Sequence, residues 1–324
     1  MNRSTRRFTY GVLAAIALMA VSTGPAGAID FVMDYADDPG EGFFDPLLGP
    51  QRLAAFQRAM DTWEQRLPGA GTVHVQTYFS EMGGTATSAV LGRAGPAWIL
   101  ANFPNAPERG TWYAASLADT LAGQDLRPGQ PDIVIEFNAS IDGDVLGGID
   151  WHYGQTASPA GDVDFQTVAM HECGHGLGFF TTFRSDGSFG YYGMPATYDR
   201  FLVDAEGTRL VDKPTSLSNV TEPVYFDGPA ARAAYAEVGG EGPVPIFAPP
   251  TWQSGSSLSH VDEAAFQGVL GLMSPYYDQG LRQIDPVVLG ILEDIGWDVD
   301  YDEIVPEPAT LALLASGLGL LVLR

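Results

Sequence analysis

The pentapeptide HECGH at residues 171–175 constrains the fold of this chain more than any other feature of its sequence. On an α-helix, four residues advance a side chain by only about 40°, so His171 and His175 face the same way and can bind one zinc ion. Glu172 lies about 100° from His171 around the helix, beside the metal site. There it can accept a proton from zinc-bound water, whose pKa the ion lowers to about 7. Apolar residues 168–170 precede the motif, so we predict a helix that begins near Phe165 with Asp164 as its N-cap.

A catalytic zinc site needs a third protein ligand and one open position. Gly178 extends the motif to HExxHxxG. In the compact signature HExxHxxGxxH the third ligand comes three residues after this glycine. That position is Thr181, whose neutral hydroxyl is a poor zinc ligand. No glutamate occurs between residues 172 and 206. Asp199 and His260 remain as candidates, and we favour His260 because imidazole is the commoner zinc ligand.

A methionine follows His260 in the stretch LMSP at residues 272–275. A methionine turn just after a third histidine resembles the Met-turn of the metzincins, and the long insertion before that histidine resembles the leishmanolysin-type members. The resemblance covers about residues 165–297. It implies a zinc endopeptidase in which Glu172 is the general base and Met273 forms the floor beneath the metal. The ligands that it implies are His171, His175 and His260.

The N-terminal segment, residues 1–28, is typical of a secretory signal peptide. Three arginines precede an apolar run at residues 11–21, and the sequence AGA at 26–28 fits a cleavage site. We therefore expect the mature chain to begin near Ile29 and to be exported.

The C-terminal segment, residues 305–324, begins with Pro306-Glu307-Pro308, continues in an apolar run at 309–323 and ends in Arg324. A helix of this run spans about 22 Å, less than the ~30 Å hydrocarbon core of a bilayer, so we expect transient membrane association. The segment resembles the PEP-CTERM sorting signal of Gram-negative bacteria. That resemblance implies processing by an exosortase and a location at the cell surface or in the extracellular matrix.

The charge of the chain excludes one class of partner. With 40 acidic and 16 basic residues, its formal net charge is −24, which argues against nucleic-acid binding. The single cysteine, Cys173, excludes an intramolecular disulfide, so packing or bound metal must hold the fold.

The acidic surplus makes Ca²⁺ a second candidate cation, with ligands from Asp34, Asp37, Asp38 and Glu41, or from Asp142 and Asp144. The triplet Asp298, Asp300 and Asp302 begins like an EF-hand loop but has Glu303 at the glycine position.

The order of elements predicts an α+β fold for residues 29–304, as one domain of two lobes with a cleft near residues 171–178. We expect a metzincin-like zincin: a mixed, twisted sheet with a backing helix and the active-site helix, above an irregular lower lobe that ends in a C-terminal helix. Hydrophobic periodicity and turn signals predict strands at 29–35, 73–79, 98–103 and 132–137, and helices at 51–67, about 112–121, from 165, and 285–296. Residues 181–264 are rich in Gly, Pro and Ser, and we expect few helices there.

These features predict a secreted or surface-attached zinc endopeptidase that acts on protein or peptide substrates. The alternative is a non-catalytic matrix or adhesion protein, exported by the PEP-CTERM route, that keeps a structural zinc. The intact Glu172 favours the enzyme, because a purely structural site needs no base beside an open position.

Overall fold

A computed structural model describes residues 27–301 except 144, 157, 160, 214–216, 218–221, 264–270 and 278–279. The expected signal peptide, apart from residues 27 and 28, and the C-terminal segment 305–324 lie outside the described residues. So do Asp144 and Asp302 of the calcium patterns. The described chain is α+β, as the sequence predicts.

Eleven strands form four sheets within the described residues. The strands are β1 (Asp30–Tyr35), β2 (Thr72–Ser80), β3 (Gly92–Pro96), β4 (Ile99–Leu100), β5 (Tyr113–Ala114), β6 (Ile133–Asn138), β7 (Trp151–His152), β8 (Val163–Asp164), β9 (Leu202–Val203), β10 (Val224–Phe226) and β11 (Val244–Ile246). The α-helices of the same residues are α1 (Gly49–Glu64), α2 (Ala115–Ala122), α3 (Phe165–Leu177), α4 (Pro229–Glu237) and α5 (Pro286–Ile295).

The largest sheet has the strand order β1-β2-β6-β3. Strands β1, β2 and β6 run parallel, whereas β3 is antiparallel to β6 and forms the edge of the sheet. The expectation of a mixed sheet is confirmed. Because successive side chains of a strand alternate between faces, Val73 and Val75 of β2 point into the core, and His74 between them lies on the less buried face.

Strand β3, with the sequence GRAGP, was not predicted, because glycine and proline are depleted in strands. Its position at the edge explains why they are tolerated: β3 has one neighbour, and the proline removes no ladder bond on the open side. The strand predicted at residues 98–103 shortens to β4. Asn102 adopts a left-handed conformation with φ 55°, which ends the extended run.

Helix α1 lies against α3 and begins two residues before the predicted position, with Pro50 in its first turn. Its buried face contributes Phe56, Met60 and Trp63 to the core. The indole Nε1 of Trp63 donates a hydrogen bond of 3.1 Å to the carbonyl oxygen of Met170. The backing helix is thereby fixed to the helix that carries the HECGH motif.

The lower part of the chain contains more regular structure than the sequence suggests. Strands β9, β10 and β11 form an antiparallel sheet, and α4 packs on α5. Helix α5 agrees with prediction: the carboxylate of Asp285 accepts a hydrogen bond of 3.0 Å from the amide of Val288, and Gly296 ends the helix with φ 122°. Within the described residues, no helix is long and apolar enough to span a membrane.

Candidate metal centre

Helix α3 begins as the sequence predicts. The Oδ1 atom of Asp164 accepts a hydrogen bond of 2.9 Å from the amide of Thr167, which caps the first turn. The other carboxylate oxygen of Asp164 forms an ion pair with Arg282, from the segment before α5. The helix ends at Gly178, which adopts φ 126°, a backbone conformation that favours glycine. Both ends of the motif helix are therefore fixed by specific contacts.

Three histidines converge at the C-terminal half of α3. His171 and His175 lie one turn apart, and their Nε2 atoms are 3.1 Å from each other. His260 comes from a segment that pairs with the chain around β11, because the amide of Phe247 donates to the carbonyl of His260 at 2.9 Å. One ligand atom from each of the three imidazoles lies within 4.8 Å of the others. The group could bind a metal ion, as the sequence predicts for these three residues.

A backbone carbonyl orients each of these imidazoles. A carbonyl oxygen can only accept a hydrogen bond, so each Nδ1 carries the proton and each Nε2 keeps its lone pair for a metal. A hydrogen bond of this kind fixes the tautomer and the ring orientation of a metal-binding histidine. The pairs are His171 Nδ1 with Leu272 O at 2.8 Å, His175 Nδ1 with Phe179 O at 2.7 Å, and His260 Nδ1 with Ser256 O at 2.9 Å.

Burial keeps the three imidazoles neutral. Desolvation lowers the pKa of His171, and desolvation together with the neighbouring imidazoles lowers the pKa of His175 well below its usual range. The same causes lower the pKa of His260 to about 3. Neutral imidazole is the form that binds a metal, so no proton has to be displaced from these ligands near neutral pH.

Glu172 lies beside the histidines and is 5% exposed. Burial raises the pKa of its carboxyl to about 8, and a cation bound nearby acts in the opposite direction. On its other side the carboxylate lies against the backbone of Gly92 in β3. The predicted base therefore occupies a narrow space between the motif helix and the edge strand.

The turn around Met273 lies beneath the motif helix. A Cβ atom built on Gly174 would stand 2.7 Å from the sulfur of Met273. The carbonyl of Met273 accepts a hydrogen bond of 2.8 Å from the amide of Val261, the residue after His260. The amide of Leu272 donates to Asp285 Oδ2 at 2.8 Å, which connects the turn to the first turn of α5. The turn therefore joins two of the three histidines to the lower part of the fold.

Asp199, the alternative third ligand, is not part of the histidine group. Its carboxylate is fully buried and accepts hydrogen bonds from the Thr181 hydroxyl at 2.6 Å, the Thr182 amide at 3.0 Å and the Ala196 amide at 2.8 Å. These bonds fix the chain that follows α3. Thr181, where the compact signature would require a ligand, is thus a partner of Asp199.

Two of the acidic residues considered for Ca²⁺ make contacts that stabilise the fold. Asp37 accepts hydrogen bonds from the amides of Phe43 at 3.0 Å and Phe79 at 2.8 Å, and Asp142 forms an ion pair of 2.8 Å with Arg52. Among the residues that the structure describes, the three histidines form the one group of three or more side chains placed to bind a metal. The calcium expectation therefore finds no support in these residues.

No protein-family model matches this chain, and no curated protein matches it. The geometry of the site is therefore the basis on which a function can be proposed. Four parts of that geometry were not predicted from the sequence: the carbonyls of Leu272, Phe179 and Ser256, which any residue type could supply, and the glycine beside Glu172. The GRAGP segment gave no strand signal, so nothing in the sequence brought Gly92 close to the motif.

Proposed function

We propose that this protein is a zinc-dependent endopeptidase. The observation that carries the proposal is the convergence of His171, His175 and His260 next to the buried carboxylate of Glu172. Three imidazoles leave one of the four positions of a tetrahedral zinc site open to water or substrate. A base beside that open position is what peptide hydrolysis requires.

The donor set supports zinc as the metal. All three side chains offer imidazole nitrogen, which suits Zn²⁺ and not Ca²⁺, whose ligands are oxygens. The three Nε2 atoms are free of protons because each Nδ1 donates to a carbonyl. The three histidines therefore fit a zinc ion.

Glu172 performs the proton transfers of the proposed reaction. A zinc ion bound here would supply Lewis acidity, which acidifies water and polarises the peptide carbonyl. Glu172 accepts a proton from the attacking water and then donates it to the nitrogen of the leaving amine, so the peptide bond is replaced by a carboxylate and an amine. The low exposure of Glu172 excludes bulk water from this base during the transfers.

We propose further that the enzyme is of the leishmanolysin-like metzincin type. The contact of Met273 with Gly174, directly below the motif, supports this assignment. So does the route of the chain, in which a long insertion separates Gly178 from His260. The mixed sheet with an antiparallel edge strand above the motif helix is consistent with the same type.

Export to the cell surface or matrix of a Gram-negative bacterium, with exosortase processing of residues 305–324, is part of the proposal. Its support is the sequence of the two terminal segments. Ile29 is 1% exposed and belongs to the core. The folded domain therefore includes the first residue after the proposed cleavage site. N-terminal sequencing and intact-mass measurement of the exported protein would test both cleavages.

Glu172→Gln tests the proposed reaction, with the exposed Glu241→Gln as the matched control. We expect Glu172→Gln to keep one zinc per chain, measured by elemental analysis, and to lose casein hydrolysis by about 100-fold or more. Glu241→Gln should match the wild type. If zinc-loaded wild type does not hydrolyse casein, gelatin or peptides and binds no hydroxamate, the structural-zinc alternative is right. Undiminished hydrolysis by Glu172→Gln would disprove the role of the base.

A further inference from the structure

The edge strand β3 approaches the motif helix most closely at Gly92. A Cβ atom built on Gly92 would stand 2.8 Å from Glu172 Oε1 and 3.1 Å from both Cδ and Cγ of that side chain. The Cβ atoms of proteins essentially never come within 3.0 Å of a non-bonded heavy atom. The three nearest atoms all belong to Glu172, so the space beside Gly92 is occupied by this one carboxylate arm.

The strand register explains why Gly92 faces the helix. Gly92 pairs with Phe137 and Ala94 pairs with Ile135, and both partners in β6 are buried in the core. Side chains of a strand alternate between the two faces, so Arg93 points to the opposite side, where it forms an ion pair with Glu136. Gly95 lies on that opposite face too, and a Cβ built on it meets nothing within 4 Å. The same short strand therefore contains one glycine that the site requires and one that it does not.

A side chain at residue 92 would conflict with the Glu172 carboxylate and not with the backbone conformation of β3. Gly92 does not have a positive φ, so an alanine there introduces no backbone strain. An added methyl group would meet atoms of a rotatable side chain, which can move aside by changing rotamer. A substitution at this position should thus leave the fold intact and displace the Glu172 carboxylate.

We propose that Gly92 is a positioning residue for Glu172: the missing side chain on the edge strand leaves the volume in which the general base stands. The inference depends on the proposed function, because it assigns the geometry of that same base. General-base catalysis requires the carboxylate within hydrogen-bond reach of the proton that it accepts. A displacement of about 1 Å is enough to lower a catalytic rate by about 100-fold.

The test compares Gly92→Ala with the matched control Gly95→Ala, both in the full zinc-loaded protein. The measurements are zinc per chain, the melting temperature, and kcat and KM for a fluorogenic peptide. We expect Gly92→Ala to lower kcat by about 10- to 100-fold while KM, zinc content and melting temperature stay near those of the wild type. Gly95→Ala should remain within about twofold of the wild type in all four, because its methyl group enters open space.

A crystal structure of Gly92→Ala adds a direct measurement, in which the Glu172 carboxylate should occupy a different rotamer. Equal kcat in Gly92→Ala and Gly95→Ala would overturn the inference. So would a loss of zinc or a fall in melting temperature that accounts for the lost activity, since it would indicate a structural role. Failure of the proposed function is a separate result: the wild type itself would then show no hydrolysis, or Glu172→Gln would retain it.

Discussion

Gly174 of the motif helix rests directly on Met273, so closely that a methyl group on Gly174 would stand 2.7 Å from the methionine sulfur. The absence of a side chain at residue 174 lets the helix pack closely against the turn. Residue 176 is likewise glycine, and a Cβ there would overlap the side chain of Ile133 in β6. Glycines on opposite sides of α3 therefore let the helix pack closely against β6 on one side and against the turn around Met273 on the other.

The contact between Gly174 and Met273 predicts a reversal of sign in a double-mutant cycle. In the wild type, Gly174→Ala should destabilise the protein, because the overlap costs about 1–3 kcal/mol and better helix propensity returns at most about 1 kcal/mol. In a Met273→Ala background the overlap is gone, so the same substitution should become neutral or stabilising. Chemical denaturation of the four proteins measures the interaction. Additive effects would show that the two residues do not share this space.

Separate substitution of the two candidate ligands should distinguish an effect on metal binding from an effect on stability. His260→Ala should weaken zinc binding by about 100-fold or more in a chelator competition, because a ligand is lost. Asp199→Asn should leave zinc affinity near that of the wild type and lower the unfolding free energy by about 1–3 kcal/mol, since a buried carboxylate bonded to Thr181, Thr182 and Ala196 is replaced. The opposite pattern would make Asp199 the ligand.

Removal of the metal should lower thermal stability. Zinc at about 1,000 times its dissociation constant stabilises a folded protein that binds it by about 4 kcal/mol. We therefore expect a chelator to lower the melting temperature by about 8–16 °C and added zinc to restore it. The difference should disappear in His175→Ala and persist in His74→Ala, whose histidine lies outside the group. A melting temperature that is insensitive to the chelator in the wild type would contradict a zinc site.

The carboxyl groups of Asp119 and Asp132 predict a pH dependence of stability at a distance from the metal site. The two side chains are hydrogen-bonded to each other, and Asp119 also accepts a bond of 3.0 Å from the amide of Leu126. Burial, followed by the neighbouring acidic groups, raises the pKa of Asp119 to about 7. Between its unfolded pKa near 4 and about 7, the folded state binds more protons than the unfolded state. This pair therefore makes the protein less stable as the pH rises through that window.

Asp119→Asn mimics the protonated carboxyl and removes this titration. The variant should match the wild type near pH 4 and exceed it in unfolding free energy at pH 8. Glu241→Gln, at an exposed position in another part of the chain, serves as the control and should follow the wild-type profile. Parallel profiles for the wild type and Asp119→Asn between pH 4 and pH 8 would show that Asp119 is ionised throughout.

Much of the motif helix could be read from local sequence. The N-cap Asp164 and the helix that begins at Asp285 were predicted and are confirmed, because each aspartate precedes an apolar helical run and can bond the amide three residues on. The predicted strands at β1, β2 and β6 are confirmed for the same kind of reason: alternating or continuous β-branched and aromatic residues favour them. Strand β3 and the sheet of β9 to β11 were missed. Strand β3 contains two glycines and a proline, and β9 to β11 are only two or three residues long, so these strands depend on tertiary pairing.

The sequence by itself determined the pair His171 and His175, the place of Glu172 between them, and the residue types available to complete the site, because a helix of fixed pitch converts spacing into direction. The tertiary structure placed His260, and not Asp199, beside the two motif histidines, since that grouping depends on how a distant segment of the chain returns to α3. It also decided which carbonyls orient the imidazoles and that Gly92 borders the base. Those contacts join residues far apart in the chain through backbone atoms, which carry no signature in the sequence.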